Sequence, residues 1–160
     1  MKNMFKKQKS SGFIFLEIVI AVALISIVFV TLLGIGFLSL NISSSLQKTT
    51  QANSLIKEEF EAVRSFRDGT TWANFKNINF GSPNFYYFTP NSNQWARNSG
   101  TETLGIFTRN IIFGQVYRDA NGDIAPSGTL DNDTIKVTVT VSWSSKTLQI
   151  ITYLTNWQKR

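Results

Sequence analysis

The chain has 160 residues, a length that suits one compact domain with an anchor rather than two full domains. It holds 16 Lys and Arg against 10 Asp and Glu, a formal net charge of +6, and it contains no Cys and no His. Those missing residue types exclude disulfide bonds, Cys/His zinc sites, cysteine nucleophiles and a Ser-His-Asp triad, and no spacing suggests another catalytic set, so we expect no enzyme.

The first twelve residues carry much of the positive charge. Four lysines precede position 13, and no acidic residue does. Without residues 1–12 the chain keeps 12 basic and 10 acidic side chains, a balance of +2. The basicity is therefore mainly a property of this segment, and we expect no specific nucleic-acid partner, which would need a basic patch on the folded domain.

Residues 13–40 form an apolar segment, FIFLEIVIAVALISIVFVTLLGIGFLSL, in which Glu17 is the one charged residue. As a helix it would measure roughly 42 Å, longer than the roughly 30 Å of bilayer hydrocarbon. A helix that is apolar on every side is a membrane span or the interior of a helical assembly. Because the positive flank stays in the cytoplasm, we expect a single-pass membrane protein with its C-terminal domain outside.

Two ordinary targeting segments are alternatives. A cleaved secretory signal has an apolar core of about 7–15 residues, which is much shorter than this one. A simple signal anchor would make Glu17 an incidental residue whose carboxylate reaches the membrane surface, and it would not be cleaved at position 12.

The helix is predicted to continue beyond the apolar segment. Ile56, Phe60 and Val63 recur at helical spacing, which predicts an amphipathic helix that packs one face on a globular domain. The helix is expected to stop at Asp68-Gly69, since Gly adopts the left-handed conformation that ends helices. The charged residues of this region are assigned to the other, solvated faces: Lys57, Glu58, Glu59, Glu61 and Arg64.

Gly34 and Gly36 have two interpretations. They are small residues that let helices approach closely, or they mark a place where the helix loosens. The apolar segment has no Pro that would set a kink, and both interpretations stay open.

The remainder of the chain predicts an antiparallel sheet. Ile135–Trp143 alternates apolar and polar residues, the pattern of a strand with one buried face, and Thr147–Asn156 is its partner across a short loop. Residues 70–100 are predicted to be loops with one short strand at Phe85–Thr89, followed by a strand at Leu104–Tyr117. The predicted class is α+β: a long N-terminal helix packed on a sheet of three or four strands.

One loop has the spacing of a calcium site. Asp119, Asn121 and Asp123 match D-x-N-x-D, but Ile124 and Leu130 stand where an EF-hand has its Gly and its bidentate Glu. The favoured interpretation is a polar Asn-Gly turn, with calcium as the alternative. No other cofactor is expected.

The junction Lys-Gln-Lys-Ser-Ser-Gly-Phe-Ile-Phe-Leu-Glu, residues 7–17, resembles the type IV prepilin signal. This resemblance implies that residues 1–12 are a leader, with cleavage between Gly12 and Phe13 by a prepilin peptidase that also N-methylates Phe13. It implies that Glu17 acts in assembly, by pairing with the new amine of a neighbouring subunit. It further implies a pilin-like fold, with residues 13–40 as the transmembrane and assembly helix and residues 41–160 as the amphipathic continuation and β domain.

The function expected from this resemblance is that of a minor pilin or pseudopilin, a structural subunit of a type IV pilus or type II secretion-type filament. Its partners would be the prepilin peptidase, other pilin subunits, the inner-membrane assembly platform and the membrane, and after processing it would lie in a cell-surface filament. The alternative is a surface binding protein on the same anchor, such as an adhesin or a DNA-uptake module.

Overall fold

The computed structural model describes residues 11–81, 84–92 and 94–157, which form two helices and an antiparallel sheet. The chain divides into two compact units between Gln47 and Lys48, and the first helix contributes to both. In chain order the elements are α1 (Ser11–Asp68), α2 (Trp72–Phe75), β1 (Tyr86–Asn91), β2 (Gln94–Ser99), β3 (Glu102–Leu104), β4 (Phe107–Arg118), β5 (Ile124–Ala125), β6 (Thr129–Trp143) and β7 (Lys146–Thr155). The predicted α+β class, with a long apolar N-terminal helix and an antiparallel sheet, is confirmed, but the sheet has seven strands rather than the predicted three or four.

In the first unit, α1 is long and apolar enough to cross a membrane, as the hydropathy of residues 13–40 predicts. Two of its hydroxyl groups donate to backbone oxygens within the helix. Ser26 Oγ donates to the Val22 carbonyl oxygen at 2.7 Å, and Thr31 Oγ1 donates to the Val28 carbonyl oxygen at 2.7 Å. Such bonds to the preceding turn let Ser and Thr enter an apolar medium without an unpaired polar group.

In the second unit, the strands follow the order β2-β1-β4-β6-β7, with β3 and β5 paired to the ends of β4. The long strands β4 and β6 lie inside the sheet, and the long strand β7 lies at its edge. The hairpin predicted from the alternation at Ile135–Trp143 is present, with Trp143 paired to Lys146 across a two-residue loop. The pairing of β4 with β6 shifts register between Gln115 and Val116.

The core lies between the sheet and the residues of α1 from Lys48 onward. Ile56 and Val63 are fully buried, and Phe60 is partly buried at the margin of the same face. Across from them, buried side chains recur at alternate positions along β4 and β6. They are Ile111, Phe113, Ile135, Val137, Val139 and Val141. This helix face is the one that the apolar periodicity predicted.

The prediction that residues 70–100 are mainly loops is wrong. The segment contains α2, which Thr71 caps by accepting the Asn74 amide, and the β1–β2 hairpin, which extends the sheet. The predicted strand at Phe85–Thr89 corresponds to β1, but its partner β2 was missed because the sequence QWARNS has no period-two pattern. Trp95 on β2 is half-buried against the core.

Candidate functional site

The three junction residues lie in the first turns of α1. Phe13 is 71% exposed, Glu17 is also exposed, and a Cβ placed on Gly12 would meet no described atom within 4 Å. Glu17 has no hydrogen-bond or ion-pair partner among the described residues. Phe13 and Glu17 are four positions apart in the helix, so they lie on the same face one turn apart. The four lysines that precede position 13 lie outside the described residues.

The apolar surface of the first unit surrounds the helix. Every large apolar side chain from Phe13 to Leu46 is at least 48% exposed, and no stripe along the helix is polar enough to be a solvated face. Soluble proteins rarely expose continuous apolar patches larger than a few hundred Å², and a larger one marks a membrane or assembly surface. This surface, with Glu17 near its beginning, is the first candidate functional site.

The predicted calcium residues occupy a tight turn. Asp119 Oδ1 accepts the amides of Asn121 at 2.9 Å and Asp123 at 3.0 Å, which is the side-chain-to-backbone pattern of an Asx turn. The Arg118 guanidinium donates to the Gly122 carbonyl oxygen at 2.7 Å and so places a cation beside the loop. Within the described ranges, no group of three or more His, Cys, Asp or Glu side chains could hold a metal ion. The favoured polar turn is present; calcium binding stays a prediction that only titration tests.

A second site is a buried charge cluster between α1 and the sheet. The side chain of Arg109, on β4, is only 3% exposed, and it lies 2.6 Å from Glu102, 3.1 Å from Glu58 and 3.1 Å from Glu59. Glu59 is fully buried, which contradicts its assignment to a solvated face. The cluster therefore sets three carboxylates against one guanidinium.

The cluster also completes the hydrogen bonding of β1. This strand pairs with β4 only at Tyr86 and Ile111, so the next inward-facing residue, Phe88, lacks a ladder partner on that side. Glu59 Oε1 accepts the Phe88 amide at 2.8 Å, and Arg109 Nη2 donates to the Phe88 carbonyl oxygen at 3.5 Å, a long contact. Because a buried peptide group without partners is costly, these two side chains replace the missing ladder bonds.

Burial raises the pKa of Glu59 from 4.5 to about 7, against the lowering effects of the Arg109 guanidinium and the Phe88 amide. Its Oε2 has no hydrogen-bond partner, although Arg109 Nε lies within ion-pair distance, because that N–H points to Glu102. Burial alone would lower the pKa of Arg109, but its carboxylate neighbours outweigh burial and raise it. Arg109 therefore stays charged, and Glu59 is the member that takes up a proton near neutrality.

Sequence periodicity contains a signal for this cluster. Glu59 follows Ile56 by three positions and precedes Val63 by four, so it lies on the apolar stripe of α1. Arg109 lies between Phe107 and Ile111 in the buried alternation of β4. A charge at a core position on each of two packed elements indicates an ion pair, since unpaired charges are almost never fully buried.

The fold and the first site define an α+β protein with one N-terminal helix able to cross a membrane. Comparisons with family models, with curated proteins and with solved structures found no match.

Proposed function

We propose that the chain is a structural subunit of a type IV pilus or type II secretion-type filament, a minor pilin or pseudopilin. It is processed between Gly12 and Phe13 and assembles through its N-terminal helix. The observation that carries this proposal is the apolar surface that surrounds α1 from Phe13 to Leu40, with the exposed Glu17 near its start.

The length of that surface supports assembly in addition to anchoring. A membrane span needs about 20 apolar residues, and this surface continues well beyond that length. In a filament the same surface would be covered by the helices of neighbouring subunits. Gly34 and Gly36 support close packing there, because a Cβ at either would meet no described atom within 4 Å and both positions leave room for another helix.

The carboxylate of Glu17 supports the proposed cleavage after Gly12. An ionisable group in an apolar medium usually has a partner of opposite charge, and cleavage after Gly12 would supply one as the amine of Phe13 on a neighbouring subunit. Gly12 itself costs about 1 kcal/mol relative to Ala inside a helix. No described contact requires a glycine at that position, so a requirement of the peptidase is the better explanation.

A surface binding protein on a simple signal anchor shares every feature except processing. The two proposals also share a membrane location with the second unit outside, where the β domain would meet its partners. Processing is therefore the property that separates them.

The test is the intact mass and N-terminal sequence of the chain purified from its native host. We expect a mature product that begins at N-methylated Phe13. A Gly12→Val chain is expected to keep its leader, whereas Gly34→Val, an equal change at another open glycine of the same helix, is expected to be processed normally.

A Glu17→Gln chain tests the proposed role of Glu17 in assembly. It is expected to be processed yet to be depleted at least tenfold from sheared filaments relative to the membrane pool, because it cannot pair with the amine. A wild-type product that still begins with residues 1–12 would contradict the proposal, and so would normal incorporation of Glu17→Gln.

A further inference from the structure

The β1–β2 hairpin is attached to the rest of the sheet at few points. Its two strands pair along their whole length, but β1 meets β4 at the single pair of Tyr86 and Ile111. Beyond that pair, Tyr86 and Arg97 also anchor the hairpin through side-chain contacts. The peptide groups of Phe88, which has no ladder partner on the β4 side, are held there by Glu59 and Arg109.

The groups around that residue carry unbalanced charge. Glu59 faces Arg109 from β4, Glu102 from β3 and Glu58 from its own helix, and the Phe88 amide from β1. With all four side chains ionised, the cluster has a net charge of −2. The least hydrated carboxylate is that of Glu59, which is fully buried and has one oxygen without a hydrogen bond. Uptake of one proton at this oxygen removes the buried charge that lacks a hydrogen bond.

We propose that the cluster of Glu59, Glu58, Glu102 and Arg109 is a proton-dependent lock for the β1–β2 hairpin. With Glu59 neutral, its Oε1 still accepts the Phe88 amide and its Oε2 becomes a donor beside the other carboxylates, so the hairpin is held closed. With Glu59 ionised, opening the hairpin admits water to the charge and is favoured. This inference does not depend on the proposed function.

The direction and the pH window follow from proton linkage. The pKa of Glu59 is about 7 in the closed hairpin, against an ordinary value of 4.5 when water reaches the group. The stabilisation of the closed form is complete below pH 4.5 and is lost as pH rises to 7. Between those values opening releases one proton, so the opening equilibrium rises about tenfold per pH unit and levels off above pH 7.

The absence of histidine helps to assign a pH-dependent opening of the hairpin to particular residues. Histidine is the side chain that ordinarily titrates between pH 5 and 8, and the chain has none. A pH-dependent opening in that window therefore comes from a displaced carboxylate or from the terminal amine.

The test is hydrogen–deuterium exchange of the full chain in detergent micelles, followed by mass spectrometry of peptides that cover residues 84–100. Exchange rates are divided by the chemical rates at each pH, which leaves the opening equilibrium. From pH 5.0 to 7.0 we expect opening of the hairpin to increase by up to about 40-fold, the value for one proton with the two pKa values above. Peptides from β6 are expected to show no such change.

Two matched variants locate the proton. Glu59→Gln keeps the acceptor for the Phe88 amide but cannot ionise, so its hairpin opening is expected to be independent of pH and lower than wild type at pH 7. Glu58→Gln removes the same charge from the adjacent, half-exposed position and is expected to keep the wild-type slope. A wild-type change under twofold overturns the proposal. A full slope in Glu59→Gln, or its loss in Glu58→Gln, also overturns it by assigning the proton elsewhere.

Discussion

At the scale of single residues, Arg109 is the contact on which most of the buried polar network depends. It forms an ion pair with Glu59 and donates hydrogen bonds to Glu102 and Glu58. It also donates a long hydrogen bond to the carbonyl oxygen of Phe88. Removing one partner of a buried ionic network is far more damaging than losing a surface pair, because the remaining charges stay buried without compensation.

We therefore expect Arg109→Met to lower the free energy of unfolding by about 3–5 kcal/mol at pH 7. The loss is expected to be smaller at pH 5, where a proton on Glu59 removes one of the unpaired charges. Arg118→Met is the matched control: its ion pair with Asp131 is more exposed, and we expect a cost of about 1 kcal/mol. Urea unfolding of a chain that begins at Lys48, followed by circular dichroism, measures both. Equal losses for the two variants would contradict the central role of Arg109.

The sequence predicted the burial of some of these residues but not of others. Ile56 and Val63 were placed on the core face because periodicity reports burial directly. Glu59 was placed in solvent because a charged residue is ordinarily exposed, and its burial depends on Arg109, which is fifty positions away in the chain. The junction at Gly12 and Glu17 was found by its resemblance to a known signal, and the structure leaves that function as a proposal.

At the scale of elements, strands with a clear alternation were predicted and those that depend on a neighbour were not. β6 and β7 were found from their own sequences. β3 and β5, of three and two residues, exist only because β4 pairs with them, and nothing local distinguishes them from loop. The register shift at Gln115 likewise depends on the pairing of two long strands.

The β6–β7 hairpin turn contains a strained residue. Ser144 has a φ of 46° in the two-residue loop, a conformation that Gly adopts at no steric cost. We expect Ser144→Gly to raise the free energy of unfolding by about 0.5–1 kcal/mol, as relief of strain exceeds the entropy that Gly adds to the unfolded chain. Thermal unfolding measures the effect. Ser145→Gly, at the neighbouring position where φ is not positive, should give no gain; an equal gain there would rule out strain as the cause.

At the scale of the whole molecule, the chain consists of two units with opposite requirements. The unit up to Gln47 exposes apolar side chains on all sides and needs an apolar surrounding to cover them. The unit from Lys48 onward contains the entire buried core of the described residues and holds itself together without a disulfide bond.

We therefore expect a chain that begins at Lys48 to be soluble and folded without detergent, with a cooperative thermal transition. The full chain should sediment with membranes and need detergent for extraction. Analytical ultracentrifugation with far-ultraviolet circular dichroism distinguishes the outcomes. A chain from Lys48 that is unfolded, or that precipitates as the full chain does, would show that the second unit needs the first.

The position of β7 at the edge of the sheet leaves one side of this strand without a neighbouring strand. One side of this strand of ten residues pairs with β6, and its other side presents peptide groups to solvent, flanked by exposed Ile150, Ile151 and Tyr153. Such an edge is a template on which a second polypeptide adds by backbone hydrogen bonding, and that is how soluble β proteins begin to aggregate. At high concentration this uncovered edge would therefore let copies of the chain join strand to strand.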